Sequence, residues 1–408
     1  MTHLGDITKI DWFHVPPVDV VTGGSPCQDL SVAGKRAGLA GERSGLYMEQ
    51  IRCVKELRQA DEQRGRTGFA IRPRYMVWEN VPGAFSSNGG EDFRAVLEEA
   101  AKIAQPDAVI PRPPKGKWTN SGAIMGDGWS IAWRVHDAQF WGVPQRRRRI
   151  SVVCDFGGLS APEILFERKG LSGDFEPGGT PGEEAAGGAG NGVEGASGCM
   201  TGWDCQSKRI FSPDGICATL NSGDREGGNI TPSVFCAGFS YGQSRTENYE
   251  VNGTLQAKES GGTSLNLNNV CRIDSTVRRL TPLECERLQG YPDGWTDIGE
   301  WVDSKGKRHK DADSPRYKAL GNSIALPFWF WLLRRISAQY IGPATLGSLF
   351  DGISGFCYVW ARCNGSKSCL WASEIEEFPI AVCKRHFGED EWHDIEIFEK
   401  WAQEEEGL

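Results

Sequence analysis

In the stretch "VTGGSPCQDL" a short apolar run ends at Gly23–Gly24, and Pro26–Cys27 follow. A cysteine at the carboxyl end of a buried strand sits where α/β folds keep their active sites. Lys35, Arg36 and Arg43 lie in the polar, glycine-rich loop beyond it. Positive charge lowers a thiol's pKa from about 8.5 and raises the share of reactive thiolate. Glu79 and Asn80, in "VWENVPGAF", also follow an apolar run. An acid there can hold and donate a proton in a partly desolvated site. In "FWGVPQRRRRISVV" the arginines lead into a strand, where Arg147 and Arg149 share one face and Arg146 and Arg148 the other. Each stretch alone has a plainer reading: a structural thiol, a salt-bridged glutamate, a solvated charge run.

The elements that position these groups are legible as short apolar runs. They are "VDVVTGG" (18–24), "YMVWENV" (75–81), "RRISVVCDF" (148–156), "TLGSLF" (345–350) and "CLWASEI" (369–375). They read as buried strands of a parallel sheet. Helical patterns intervene at "SGLYMEQIRCVKELRQA" and "EDFRAVLEEAAKIA", so an α/β layered fold is expected. From about residue 157 to 270 the texture changes. The Gly-rich stretch 171–198 is nearly free of large apolar groups and is expected not to order itself. The turn-rich pieces after it suggest a smaller, mostly β module. The expected division is 1–157 for the first part of the sheet domain, 158–276 for the inserted module, and 277–408 for the remainder.

Composition limits the classes. The chain has 408 residues, 39% of them apolar, enough for real cores. No apolar run reaches the length of a membrane span, and the start lacks a signal-peptide pattern, so a cytoplasmic protein is expected. None of the thirteen cysteines forms C-x-x-C, so no metal site is expected and most should be reduced thiols. The net charge of −9 is concentrated in residues 388–408, which carry nine acids and one lysine. The remainder, 45 acids against 44 basic residues, can still present a basic cleft.

Two further stretches, "RRLTPLECERLQGYPDGW" and "YKALGNSIALP", mean little by spacing alone. With the Pro-Cys loop, the Glu-Asn-Val strand and the Gln-x-Arg-x-Arg strand, all in this order, the sequence closely resembles the C5-cytosine DNA methyltransferases, except over roughly 157–270. The resemblance implies a Rossmann-like sheet domain that uses S-adenosylmethionine, with an inserted, mostly β target-recognition domain. It implies a Cys27 thiolate that adds to C6 of a cytosine flipped out of the duplex, with Glu79 at N3. It implies Arg147 on the O2 side, Arg149 near the site, and Asn80 orienting the loop that carries Cys27. Flipping is needed because that ring face is unreachable in a stacked duplex. Gln28, Ser31, Lys35, Arg36 and Arg43 would contact DNA on loop closure. Thr219–Leu220 or the pair at Thr254 would read the sequence. Double-stranded DNA is the implied partner, the protein acting as a monomer, with a cognate restriction endonuclease as a candidate companion.

The family's glycine motif is matched late, by "LFDGISGF", as Phe350, Gly352 and Gly355, with Ser354 where a glycine is usual. Glu374, after the next apolar run, suits ribose hydroxyls. Asp6 and Ile7, in "HLGDITKI", would flank the adenine, and Pro26, Leu46 and Asn322 match further cofactor contacts. Each part is present once, but in rotated order: a circular permutation. It requires residues 386–392 to lie near residues 1–8. Two competing functions are a tRNA cytosine-5 methyltransferase of the same fold and a non-catalytic DNA-binding relic. The long central module and the intact Cys27, Glu79 and Arg147 weigh against them.

Overall fold

The computed structural model describes residues 1–25, 45–113, 116–166, 270–273 and 276–388, with backbone alone for 270–273 and 276–279. Strands in chain order are β1 (Thr2–His3), β2 (Val20–Gly23), β3 (Tyr75–Asn80), β4 (Ser121–Met125), β5 (Ser130–Asp137), β6 (Arg148–Asp155), β7 (Val270–Ile273), β8 (Thr276–Arg279), β9 (Trp301–Val302), β10 (Arg308–His309), β11 (Leu346–Leu349) and β12 (Cys369–Ser373). The α-helices are α1 (Gly45–Gln63), α2 (Glu91–Ala104), α3 (Ala161–Leu165), α4 (Pro282–Gln289), α5 (Asp313–Asn322), α6 (Leu326–Ser337), α7 (Gly355–Asn364) and α8 (Glu377–Phe387).

Eight strands form one sheet in the order β1-β12-β11-β2-β3-β6-β5-β4. Neighbours from β1 to β3 run parallel. The expectation that all five apolar runs lie in a parallel sheet fails at β6, which runs antiparallel to β3. β5 and β4 continue the antiparallel edge. Neither was legible as a strand. Arg134 and His136 interrupt the apolar pattern of β5, and β4 alternates between exposed and half-buried residues at the edge. Only packing explains the interruption: His136 is buried, its ring stacked on Phe328 at 3.5 Å.

Alternation along each strand builds two cores. Val20, Tyr75 and Val77 face a core completed by α4, α6 and α7. Val21, Met76 and Trp78 face the opposite core, completed by α1 and α2. The sheet is therefore covered on both sides, as parallel strands require. Ala161, Ile164 and Leu165 of α3 are buried in the first core, so the sheet layer continues past residue 158. The turn-rich module and the Gly-rich stretch fall outside the described residues.

Among the described cysteines, Cys53, Cys154 and Cys383 are free thiols, and these three and Cys285 are buried. Cys357 and Cys369 form a disulfide between α7 and β12. The N-terminal segment joins the sheet beside β12, with Thr2 opposite Trp371. The amino group of Met1 donates to the carbonyl of Phe387 at 3.3 Å, so residues 1 and 387 adjoin.

Candidate active site

The chain leaves β11 through α7 to β12, toward one edge, and leaves β2 through α1 to β3, toward the other. Because the two crossovers lie on opposite faces, the direction of winding reverses between β11 and β2. Crevices at such reversals, at the carboxyl ends of the strands, are where open α/β sheets bind ligands. The register pairs Leu349 with Gly23, so the turn 350–355 and the segment Gly24–Ser25 emerge side by side.

β3 supplies the next wall. Gly23 pairs with Trp78, which sets Glu79 and Asn80 beside the outgoing chain. Asn80 is buried; its side-chain amide donates to the Ser25 carbonyl at 3.3 Å, and its Oδ1 accepts from Val81 N at 2.8 Å. Trp78 Nε1 donates to Ser25 Oγ at 2.9 Å. Ser25, two residues before Cys27, is thus held through both its backbone and its side chain. Cys27 itself lies outside the described residues, with Pro26, Gln28, Ser31, Lys35, Arg36 and Arg43; so do Thr219, Leu220 and Thr254.

Glu79 and Arg149 form an ion pair at 2.8 Å, their side chains 13% and 16% exposed. A Cβ at Gly24 would stand 2.9 Å from Glu79 Oε2. The carboxylate therefore rests where any other residue's side chain would begin. Arg147 does not reach Glu79 in this arrangement. Its backbone N–H donates to Asp137 Oδ1 at 2.9 Å, and its guanidinium donates to the carbonyls of Gly321, at 3.2 Å, and Ser323. It locks the Gly-Asn-Ser segment in place, with Asn322 exposed at its centre. The structure thus places Arg149, rather than Arg147, against the acid.

Phe350, Gly352 and Ser354 all have positive φ, of 52°, 57° and 65°. The conformation is easy for glycine and costly for other residues. A Cβ at Gly355 would run into Tyr291 Oη and Ile324, so this glycine is required by close packing. Glu374 accepts from Gly352 N at 2.8 Å, and its other oxygen accepts from Ile375 N and Glu376 N at 2.7 and 2.9 Å. The acid therefore ties the glycine turn to the end of β12. Ser373 Oγ donates to the Gly5 carbonyl at 2.7 Å, which brings Asp6 and Ile7 to the same end of the sheet. Asp6 accepts from the Thr8 hydroxyl and N–H, which hold its carboxyl below the usual range. Ile7 is buried, and Leu46, at the start of α1, is half-buried on the core.

Asp351 was not singled out from the sequence, although an acid inside a glycine turn is a usable signal. It is buried and accepts from Ser348 Oγ at 2.6 Å and Ser354 Oγ at 2.8 Å. Burial pushes its carboxyl up to about 6, against the pull of those two hydroxyls. Gln50 was missed as well. It is buried on α1 and donates to the Val77 carbonyl at 3.0 Å, bracing β3 just before Glu79.

The sequence profile of C-5 cytosine-specific DNA methylases matches residues 1–104 and 215–338, more than half of the chain. The chain belongs to this family. The match takes in the Glu79 strand and the Gly-Asn-Ser segment and leaves the late glycine turn outside. A protein of Escherichia phage P1 described as a DNA N-6-adenine-methyltransferase is 28% identical, over 83% of this chain and 55% of that protein. The type II methyltransferase M1.ScrFI of Lactococcus lactis subsp. cremoris is 25% identical, over 79% of this chain and 63% of its own. The DNA (cytosine-5-)-methyltransferase M.ApeKI of Aeropyrum pernix is 30% identical over 36% of this chain and 29% of its own. This methylase-family chain thus spans about half the length of the phage P1 protein, and under two thirds of the other two.

Proposed function

We propose that the protein transfers a methyl group to C5 of a cytosine in duplex DNA, through a covalent adduct with Cys27. One observation carries this reading: β3 places the Glu79–Arg149 pair and the Asn80–Ser25 contact together, directly before Cys27. A thiolate supplied here would add to C6, and the displaced π electrons would make C5 nucleophilic as Glu79 holds a proton at N3. Arg149, bonded to Glu79, is the arginine we assign to the O2 edge of the ring. Arg147 acts instead by holding the Gly-Asn-Ser segment. After transfer, loss of the C5 proton restores the double bond and expels the thiolate.

The residues around the 350–355 turn fit S-adenosylmethionine: a glycine turn at the switch point, with Glu374 and Asp6 beside it. When bound there it would supply an electrophilic methyl. The same reading makes the stretch 158–276 a target-recognition module, its first residues, through Leu165, packing as α3 in the sheet domain's core. It makes the motif order a circular permutation, which the contact between Met1 and Phe387 supports. A companion restriction endonuclease belongs to this proposal too. Among the described residues no helix is long and apolar enough to cross a membrane.

The phage P1 relative's description raises a second reading, methylation of adenine N6. The unmatched 45% of that protein leaves room for another domain, so its description need not belong to the matched part. An exocyclic amine also requires no thiol adduct, and the hold of β3 on Ser25, two residues before Cys27 in the sequence, favours cytosine. Nucleoside analysis of duplex DNA and tRNA after incubation with protein and S-adenosylmethionine tests the proposal. 5-Methylcytosine in the DNA alone is expected, abolished by Cys27→Ser with DNA binding kept. N6-methyladenine, or product in the tRNA alone, would overturn it.

A further inference from the structure

Ser354 poses a specific problem. It stands at the start of α7 in the left-handed region, at φ 65° and ψ 32°, where the family pattern has glycine. It is fully buried. An L-residue enters this conformation reluctantly because its Cβ crowds the following carbonyl. The strain persists only where surrounding contacts fix it. Here the fixing contact is Asp351, whose Oδ2 accepts from the Ser354 hydroxyl at 2.8 Å. Asp351 is itself clamped: its Oδ1 accepts from Ser348 Oγ on β11, at 2.6 Å, and its N–H donates to the Ser373 carbonyl on β12, at 3.1 Å. A second bond, from Ser354 N to the Asp351 carbonyl at 3.0 Å, closes the turn.

We propose that Asp351 is a positioning residue for the cofactor turn: its carboxyl replaces the conformational freedom of a missing glycine by anchoring the Ser354 hydroxyl to two strands. This deepens the reading of 350–355 as the S-adenosylmethionine site and rests on it. The shape of the turn governs how its backbone N–H groups meet a ligand, so the pair Asp351–Ser354 sets cofactor affinity without touching the methyl group.

The test is calorimetric titration of the full chain with S-adenosylmethionine, alongside kcat at saturating cofactor and the unfolding midpoint. Ser354→Gly should bind within about twofold of the parent, since glycine adopts the turn freely, and Ser354→Ala should weaken binding by about tenfold or more. Asp351→Ala should weaken binding similarly in the parent, yet only about twofold in the Ser354→Gly background, because the coupled pair is not additive. Asp351→Asn should restore binding, as its amide can accept from Ser354 and donate to Ser348. In these variants the loss should fall on the KM for S-adenosylmethionine more than on kcat. Equal binding by Ser354→Ala and Ser354→Gly would overturn the proposal, as would equal losses from Asp351→Ala in both backgrounds. Should Asp351→Ala not fold, the Ser354 pair of variants decides alone. Failure of the parent to bind S-adenosylmethionine would instead remove the cofactor reading, and this proposal with it.

Discussion

Glu79 and Gly24 illustrate how narrow the site is at the scale of single residues. The carboxylate lies 2.9 Å from the position of a Cβ at residue 24. Gly24→Ala should displace Glu79 from Arg149 and cut methyl transfer by about 10² while the fold survives, since small misplacements of a reacting group are costly. Steady-state kinetics with a matched unfolding curve checks this. Asp351 sets a pH dependence. Its neighbours include Glu374, Cys383 and Tyr291, and burial lifts it from 3.8 to about 6. A carboxyl raised in the fold contributes stability that is full below about pH 4 and lost as pH rises through about 6. Asp351→Asn should therefore gain stability over the parent, by roughly 2 kcal/mol, as pH goes from 4 to 7.5. Thermal unfolding across that range measures the difference; a constant offset would refute it.

At the scale of elements, the reversal between β11 and β2 sets the turn 350–355 beside Gly24–Ser25, and Asp155 ends the arginine strand β6 between β3 and β5. It accepts from Arg74 through both oxygens, at 2.9 and 3.0 Å, and from Ser160 Oγ at 2.6 Å. Burial raises its carboxyl, but these bonds outweigh it and hold it below its usual range. The contribution is thus present above about pH 4 and fades as pH falls through the lowered value. Asp155→Ala leaves Arg74 without this half-buried partner and should cost about 3–5 kcal/mol. Chemical denaturation at pH 7 reads this loss, and the gap from the parent should narrow at low pH.

For the molecule as a whole, the adjacency of Met1 and Phe387 has a direct consequence. A chain begun at Gly342, in the exposed stretch before β11, with residue 388 linked to residue 1, would place the glycine turn ahead of the Glu79 strand, the order that the proposed permutation implies. New ends in an exposed connection are well tolerated. This rearranged protein should keep the parent's circular dichroism and at least about half of its activity. Failure to fold would count against the permutation.

The five apolar runs and both helical patterns were readable because burial on both faces demands continuous apolar residues, and amphipathic helices demand their own period. The stretches holding Cys27, Glu79, Arg147 and Arg149 were readable because they match the motifs of one family in order. The sequence could not show that Arg149 meets Glu79 while Arg147 does not, because alternation along a strand would put both on one face; in the fold Arg147 precedes β6 and is held by Asp137, Gly321 and Ser323. Nor could it show that Asp351 supports Ser354. That depends on two hydroxyls meeting one buried carboxyl, an arrangement fixed by β11 and α7 together. The sequence by itself determined the chemistry available and the elements that carry it. The tertiary structure decided which groups touch, because hydrogen bonds and close packing act between strands that the chain order keeps far apart.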